Sequence, residues 1–337
     1  MDKYRLVVFG DSWDVYQYAH RDWIEDPKVR YISTFRPSGW LGQIQRLHFN
    51  PRLNRIIHLP YKPCWNSRYV RGINDQHICF LVTEPWLRME SAIRLLPYLR
   101  RRYPQSYIVC FVQDMVDTIC DLYTRRPIDL DYLRQYADLL ISYDTTDSRQ
   151  HQMLYHPTVY SPLDSFAKDC QPLYDLYFLG RDKGRLPLLM KICQEAQRRD
   201  LRCHFLMLEI PKTEQISCEG ITYLDSPLSY EENLRLCSQS RCVVEMLQQH
   251  AASSTFRMWE TIMLNRKLLT NNVAIKDSAI YDTKYISVFE KVEDIDWSFV
   301  ETKATFPSGC NPYQQLIRPL SLIQFIEQHL HIQIEHS

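Results

Sequence analysis

The side chains best suited to chemistry fall in residues 241–272, RCVVEMLQQHAASSTFRMWETIMLNRKLLTNN. A short apolar run ends in Glu245, a polar loop of Gln, His, Ala and Ser follows, and helical spacing begins near Thr255, with Phe256, Trp259, Ile262 and Met263 near one face. Residues 267–270 read as a second strand. A polar loop that opens a helix leaves backbone N–H groups free at the positive end of the helix dipole, which suits an anion. Ser253, Ser254 and Thr255 offer N–H and hydroxyl donors to a phosphate, and Arg257 sits at the helix start. Glu260, a turn or so further in, can reach a sugar hydroxyl. His250 either meets phosphate or sugar or is structural, and Glu245 either contacts the same ligand or caps its loop.

A second constellation is FLGRDKGR, residues 178–185. Gly180 permits a tight turn, and Arg181, Lys183 and Arg185 put positive charge where a strand ends, the edge at which open α/β sheets bind ligands. A guanidinium fork and a mobile ammonium suit a diphosphate, although a solvated basic turn reads the same way. Neither a GxxxxGK[ST] loop nor a GxGxxG after the first strand is present. Acids end strands in the first half. Asp11, in Gly10-Asp11-Ser12, is either a general base or a helix cap; Glu84 after HICFLVT and Asp114 after YIVCFVQ are rival bases. Arg100, Arg101 and Arg102 beside Tyr98 and Tyr103 either complement a helix C-terminus or meet anionic lipid headgroups. No metal-ligand spacing occurs, and Asp129 and Asp131 are explained by helix capping.

The elements that must hold these groups alternate. Strands are expected over residues 4–9, 29–33, 77–83, 106–112 and 137–142, with helices over 13–23, 41–48 and 86–102, an extended segment at 55–59 and a loop over 60–75. Residues 156–171 break the rhythm, and it restarts with strands over 174–179, 202–208, 221–224 and 284–289, helices over 185–198 and 230–238, and a last helix over 314–331 bent at Pro319. Continuous apolar runs separated by helices indicate parallel strands covered on both faces. At 337 residues two domains are expected, and with 40 basic and 40 acidic residues nothing points to nucleic acid. The 11 cysteines show no CxxC pairing, and no apolar run approaches a membrane span, so a cytoplasmic protein with reduced thiols is expected.

FLGRDKGR, SYEENL at 229–234, SSTFRMWE and NRKLLTNN together resemble bacterial GT-B glycosyltransferases of capsule, exopolysaccharide and lipopolysaccharide clusters, most clearly over residues 174–275. The resemblance implies an α/β fold of two Rossmann-like domains facing each other across a cleft: an acceptor domain over 1–160, a nucleotide-sugar domain over 172–312, and a C-terminal helix, 313–337, crossing back. It implies a hexosyltransferase that passes sugar from a nucleotide-sugar donor to a lipid-linked surface glycan, metal-independent and without a cofactor, at the inner face of the membrane. Donor contacts fall on Arg181, Lys183, Arg185, Glu245, His250, Ser253, Ser254, Thr255, Arg257 and Glu260, and the catalytic base on Asp11 or Glu84. Glu260 matches the second Glu of the family's E-x7-E pattern, while Ala252 stands in the place of the first. A nucleotide-sugar 2-epimerase of the same fold and a catalytically inactive nucleotide- or glycan-binding protein are the alternatives.

Overall fold

In the computed structural model, residues 3–34, 39–57, 59–166, 172–247, 256–278, 280–302 and 312–337 are described. Their strands, in chain order, are β1 (Lys3–Gly10), β2 (Arg30–Ser33), β3 (Ile78–Thr83), β4 (Tyr107–Val112), β5 (Leu139–Ser142), β6 (Leu154–Tyr155), β7 (Tyr174–Arg181), β8 (Cys203–Leu208), β9 (Ile221–Leu224), β10 (Ser240–Glu245), β11 (Lys267–Thr270), β12 (Ile286–Val288) and β13 (Gln333–Glu335). The chain divides into two compact units, Met1–Ser161 with Ile317–Ser337, and Pro162–Leu316.

The first unit is a parallel sheet in the order β13-β1-β3-β4-β5-β6, with β2 also on β1. β13 pairs with Lys3–Arg5 and β2 with Val7–Gly10, so the two share one edge of β1 and β3 takes the other. Every residue of β3 is buried, as its unbroken apolar run requires. One face packs Val7, Phe9, Phe80 and Ile108 against Trp86, Leu95, Leu96 and Leu99. The other packs Leu6, Val8, Leu81 and Phe111 against Leu322, Ile323 and Ile326 of the Pro319–Leu330 helix. The C-terminal segment therefore returns to the first sheet and adds a strand to it.

The second unit is a parallel sheet in the order β12-β11-β10-β7-β8-β9. Leu176, Phe178, Val244 and Leu269 from its strands meet Leu189, Ile192 and Cys193 of the Leu186–Gln197 helix. The nine described cysteines carry free thiols.

Several local readings are corrected. Residues 86–102 are not one helix but part of three, Glu84–Leu87, Glu90–Ile93 and Leu95–Arg102. Arg94 adopts φ 52°, and the buried Glu90 carboxylate accepts from Leu95 N and Leu96 N, both at 3.1 Å, so a side chain starts the last helix afresh. Residues 13–23 likewise split at His20, between Asp14–Ala19 and Arg21–Glu25. Extended structure at 55–59 gives way to a Pro51–Ile56 helix, because Asn50 caps Arg52 N and Leu53 N and Pro51 suits a first turn. The expected loop at 60–75 contains the turns Lys62–Trp65 and Asn66–Tyr69. At the C-terminus, Arg318 is extended ahead of Pro319 and separates Pro312–Ile317 from Pro319–Leu330.

Candidate functional site

Each unit has one place where its strand order reverses, and there the carboxyl ends of two strands diverge to leave room for a ligand. In the second unit that place lies between β7 and β10. β7 runs into Asp182-Lys183-Gly184-Arg185, and Asp182 Oδ1 accepts from Leu186 N at 2.9 Å, starting the helix that follows. Lys183 and Gly184 carry φ of 44° and 78°, and this left-handed turn reverses the chain. The turn sorts the three cations. Arg181 is exposed and paired with Glu209 at 3.0 Å, Lys183 is exposed, and Arg185 folds inward to half burial. Gly180 leaves the space: a Cβ there would lie 2.9 Å from Phe178 Cζ and 3.5 Å from Arg185 Nη1.

Arg257, one residue into the Phe256–Met263 helix, places its guanidinium 5.5 Å from the centre of the Phe178 ring. Burial chiefly, and Arg257 next, lower the proton affinity of Arg185, with Asp182 and Glu245 opposing them. Arg185 Nε is buried and has no hydrogen-bond partner among the described residues. At the strand-order reversal, Arg257 thus lies over the Phe178 ring and close enough to Arg185 for its charge to act on it, and Arg185 keeps a donor unused among the described residues. Glu245 ends β10 at 2% exposure and accepts from Thr270 Oγ1 at 2.7 Å, bridging β10 to β11.

Glu260 is 3% exposed, and its carboxylate is held from the Tyr230–Ser238 helix. Tyr230 Oη donates to Oε1 at 2.6 Å and Asn233 Nδ2 to Oε2 at 3.4 Å, while Tyr177 Oη on β7 donates to Asn233 Oδ1 at 3.1 Å. Tyr230 and Asn233 were not singled out from the sequence, although both sit in the SYEENL segment. His250, Ser253, Ser254 and Thr255 lie outside the described residues.

In the first unit the reversal lies between β1 and β3, and Asp11 and Glu84 follow those two strands directly. Asp11 does not cap the Asp14–Ala19 helix; Trp13 takes that place with no side-chain bond. Asp11 Oδ1 instead accepts from Ser12 N (2.5 Å), Trp13 N (3.2 Å) and Thr34 Oγ1 (3.0 Å), and Oδ2 takes no donor among the described residues. Tyr31 Oη accepts from Asp11 N and donates to Asp11 O, both at 3.0 Å. Its ring occupies the space beside Gly10, where a Cβ would lie 2.1 Å from Tyr31 Oη.

Glu84 is 7% exposed, and Arg88 Nε donates to its Oε1 at 2.5 Å. Burial raises its pKa from 4.5 to about 7; Arg88 offsets part of this, while Asp114 and Asp11 add to it. Arg88 Nη2 also donates to Asp114 Oδ2 at 2.9 Å, so one guanidinium bridges the two rival acids, and Asp114 Oδ1 accepts from Met115 N at 2.9 Å. The i,i+4 spacing of Glu84 and Arg88 was the sequence signal for this pair.

Elsewhere, Arg100 is committed to structure, donating to Tyr136 O (2.6 Å) and Ser106 O (2.9 Å) and pairing with Asp138. Arg102 lies over the Tyr103 ring, and Arg101 lines an open cleft of about 460 Å3 with Arg94 and Tyr98. Among the described residues no group of three or more His, Cys, Asp and Glu could hold a metal ion, and no helix is long and apolar enough to cross a membrane.

No family model matches the chain, and no curated protein matches it in sequence. Solved structures do match. The chain is similar to a trehalose-6-phosphate synthase, at TM-score 0.58 and 10% identity over 99% of this chain and 100% of that one. It is similar to a UDP-forming α,α-trehalose-phosphate synthase from Burkholderia xenovorans, at 0.53 and 10% identity over 97% and 98%. A glycosyltransferase of kitacinnamycin matches at TM-score 0.50 and 8% identity over 98% and 100%. At these identities the likeness is one of fold: an α/β chain of two parallel-sheet, Rossmann-like units of the GT-B type.

Proposed function

We propose that the chain is a metal-independent glycosyltransferase that moves a sugar from a nucleotide-sugar to a lipid-linked surface glycan. The observation that carries the reading is the pair of guanidiniums at the β7/β10 reversal, with Arg185 Nε buried and unpartnered among the described residues. Like charges brought together in a partly buried place stabilise nothing in the free protein, and an oxyanion satisfies both. The two phosphates of a leaving nucleoside diphosphate fit that need, and fixed positive groups that meet charge as it develops on the leaving group are a large source of rate. Glu260, held by Tyr230 and Asn233, fixes the start of the Arg257 helix and stands ready for a ribose hydroxyl once Tyr230 yields it.

In the first unit, Glu84 takes the proton of the acceptor hydroxyl. Its pKa of about 7 places it where a general base is most effective near neutral pH. Asp11, with Oδ1 fixed by its donors and Oδ2 open, orients that hydroxyl. The similarity in fold to solved glycosyltransferases supports a nucleotide-sugar-using transferase at the level of the fold, and the roles of Glu84 and Asp11 rest on their geometry alone.

A thermal-shift panel of UDP-, GDP-, dTDP- and CMP-sugars tests the reading. At a ligand concentration of about 100 times Kd, a true donor adds about 2.7 kcal/mol of stability. One nucleotide class should stabilise the wild type, and Arg185→Ala should lose the response. If no nucleotide stabilises the wild type, or Arg185→Ala responds as the wild type does, the donor site is elsewhere or absent.

A further inference from the structure

The chain is neutral overall, yet residues 27–74 contain Lys28, Arg30, Arg36, Arg46, Arg52, Arg55, Lys62, Arg68 and Arg71 and not one Asp or Glu. The Gly39–His48 helix lies inside this stretch. Its Trp40, Ile44 and Leu47 recur at helical spacing and form one stripe, which would ordinarily face the core. Here the stripe faces outward: Trp40 is 68% exposed, Ile44 47% and Leu47 59%. The inward positions hold Leu41, Gly42 and Gln45, which line an open cleft with Tyr31 and Trp65. The helix therefore shows its more apolar side to the outside, and packing within the unit does not account for it. Later in the same acid-free stretch, Ile56, Ile57 and Tyr61 are also exposed, at 83%, 57% and 77%. Arg46, Arg52 and Arg71 are exposed and form no ion pair among the described residues.

We infer that this face docks on an anionic lipid surface, with Trp40, Ile44 and Leu47 entering the headgroup region and Arg46 and Arg52 meeting lipid phosphates. An outward apolar stripe in a stretch whose only charges are cations is the pattern of a helix lying in the membrane interface. A second copy fits poorly, because a two-fold contact would set this acid-free stretch against itself. Nucleic acid fits poorly too, since single-stranded binding uses aromatic rings for stacking, and Ile44, Leu47, Ile56 and Ile57 have none. The inference does not depend on the donor site, because vesicle binding and nucleotide binding are read separately.

The test is co-sedimentation of the full chain with vesicles of equal parts phosphatidylglycerol and phosphatidylcholine, beside vesicles of phosphatidylcholine alone. The wild type should bind the anionic vesicles, and added salt should weaken binding. Arg46→Ser and Arg52→Ser should each weaken it about fivefold. The triple variant Trp40→Ser, Ile44→Ser, Leu47→Ser should weaken it more than about tenfold. Ile56→Ser with Ile57→Ser is the second variant should the triple fail to fold, and it should weaken binding in the same direction. The inference is overturned if the wild type ignores anionic vesicles, if phosphatidylcholine alone binds it equally, or if the folded apolar variants sediment unchanged. A concentration-dependent dimer, lost in the triple variant and without vesicle binding, would assign the face to a second copy instead.

Discussion

Both units reverse their strand order beside their first strand, and the two reversal points differ in the charge that leads: carboxylates bridged by Arg88 in the first, guanidiniums opposed by Asp182 and Glu245 in the second. Between β1 and β3 stand Asp11 and Glu84, with Asp114 linked through Arg88; between β7 and β10 stand Arg185 and, over Phe178, Arg257. Burial works against the charged form in both places, raising the pKa of Glu84 and lowering that of Arg185. Each point is thus left wanting what the other class of substrate brings. The carboxylate is satisfied by a proton, which a hydroxyl gives up in reaction, and the guanidiniums are satisfied by an anion. The topology decides where a ligand can sit; the two or three residues after each strand decide which ligand it is.

Glu84→Gln breaks the acidic side and has the largest expected effect. It keeps the shape and the hydrogen bond from Arg88 but cannot accept a proton, so turnover should fall by about 10²–10⁴-fold while donor binding is unchanged. In the wild type, kcat/KM should rise with pH to a plateau above about 7, the ionised form being the base. Stability runs the other way. Because the folded pKa lies above the unfolded one, the protonated carboxyl's contribution is complete below about 4.5 and is lost as pH rises through about 7. Glu84→Gln should therefore raise Tm relative to wild type at pH 8 and leave it unchanged at pH 4. An unaltered pH profile in the variant would remove Glu84 from the reaction and turn attention to Asp11.

Arg185→Ala and Arg257→Ala break the basic side. Each charge-assisted bond to a phosphate is worth about 1.5–3 kcal/mol, so nucleoside diphosphate affinity by calorimetry should fall about tenfold to a hundredfold per substitution. Without ligand, removing either cation relieves repulsion, so the Tm of the free protein should hold or rise. A fall in both affinity and free-protein Tm would mean that the arginines serve the core and not a ligand.

The sequence marked the ends of the strands that flank the first reversal point, because the apolar runs and the residues that close them are local features: HICFLVT ends beside Glu84, and YRLVVF beside Gly10 and Asp11. It did not sort the cations of RDKGR. Which of Arg181, Lys183 and Arg185 turns inward depends on the positive φ of Lys183 and Gly184 and on the Asp182 cap, and alternation of charge carries no trace of either. Nor did it give Glu260 its partners, since Tyr230 and Asn233 arrive from a helix some thirty positions earlier. The Asn50-Pro51 helix start was legible, by contrast, although residues 55–59 read as extended.

Tyr230→Phe probes the network that supports the basic side. It leaves Glu260 Oε1 buried without its donor, at about 1–3 kcal/mol of stability, read as a lower denaturant midpoint. Donor affinity should fall less than in Arg185→Ala. An unchanged midpoint would show that the Glu260 carboxylate finds another partner and that this hydroxyl does not hold the helix.

Arg181→Ala has the smallest expected effect, and it tests how narrowly the basic side is drawn. Arg181 and Lys183 match the resembling family's diphosphate contacts in sequence, but in the fold Arg181 points outward and pairs with Glu209, both side chains about 60% exposed. A pair in that setting contributes about 0–1 kcal/mol, and its cation is already neutralised in solvent. Donor affinity should change by less than about threefold, and stability by less than about 1 kcal/mol. An effect as large as that of Arg185→Ala would place the phosphates at the outer rim of the turn. The contrast between the two reversal points would then rest on exposed cations, which salt would screen, and affinity should fall steeply with ionic strength. If Arg185 and Arg257 hold the anion where the structure brings them together, that dependence should be shallow, because partly buried charges are screened far less than exposed ones.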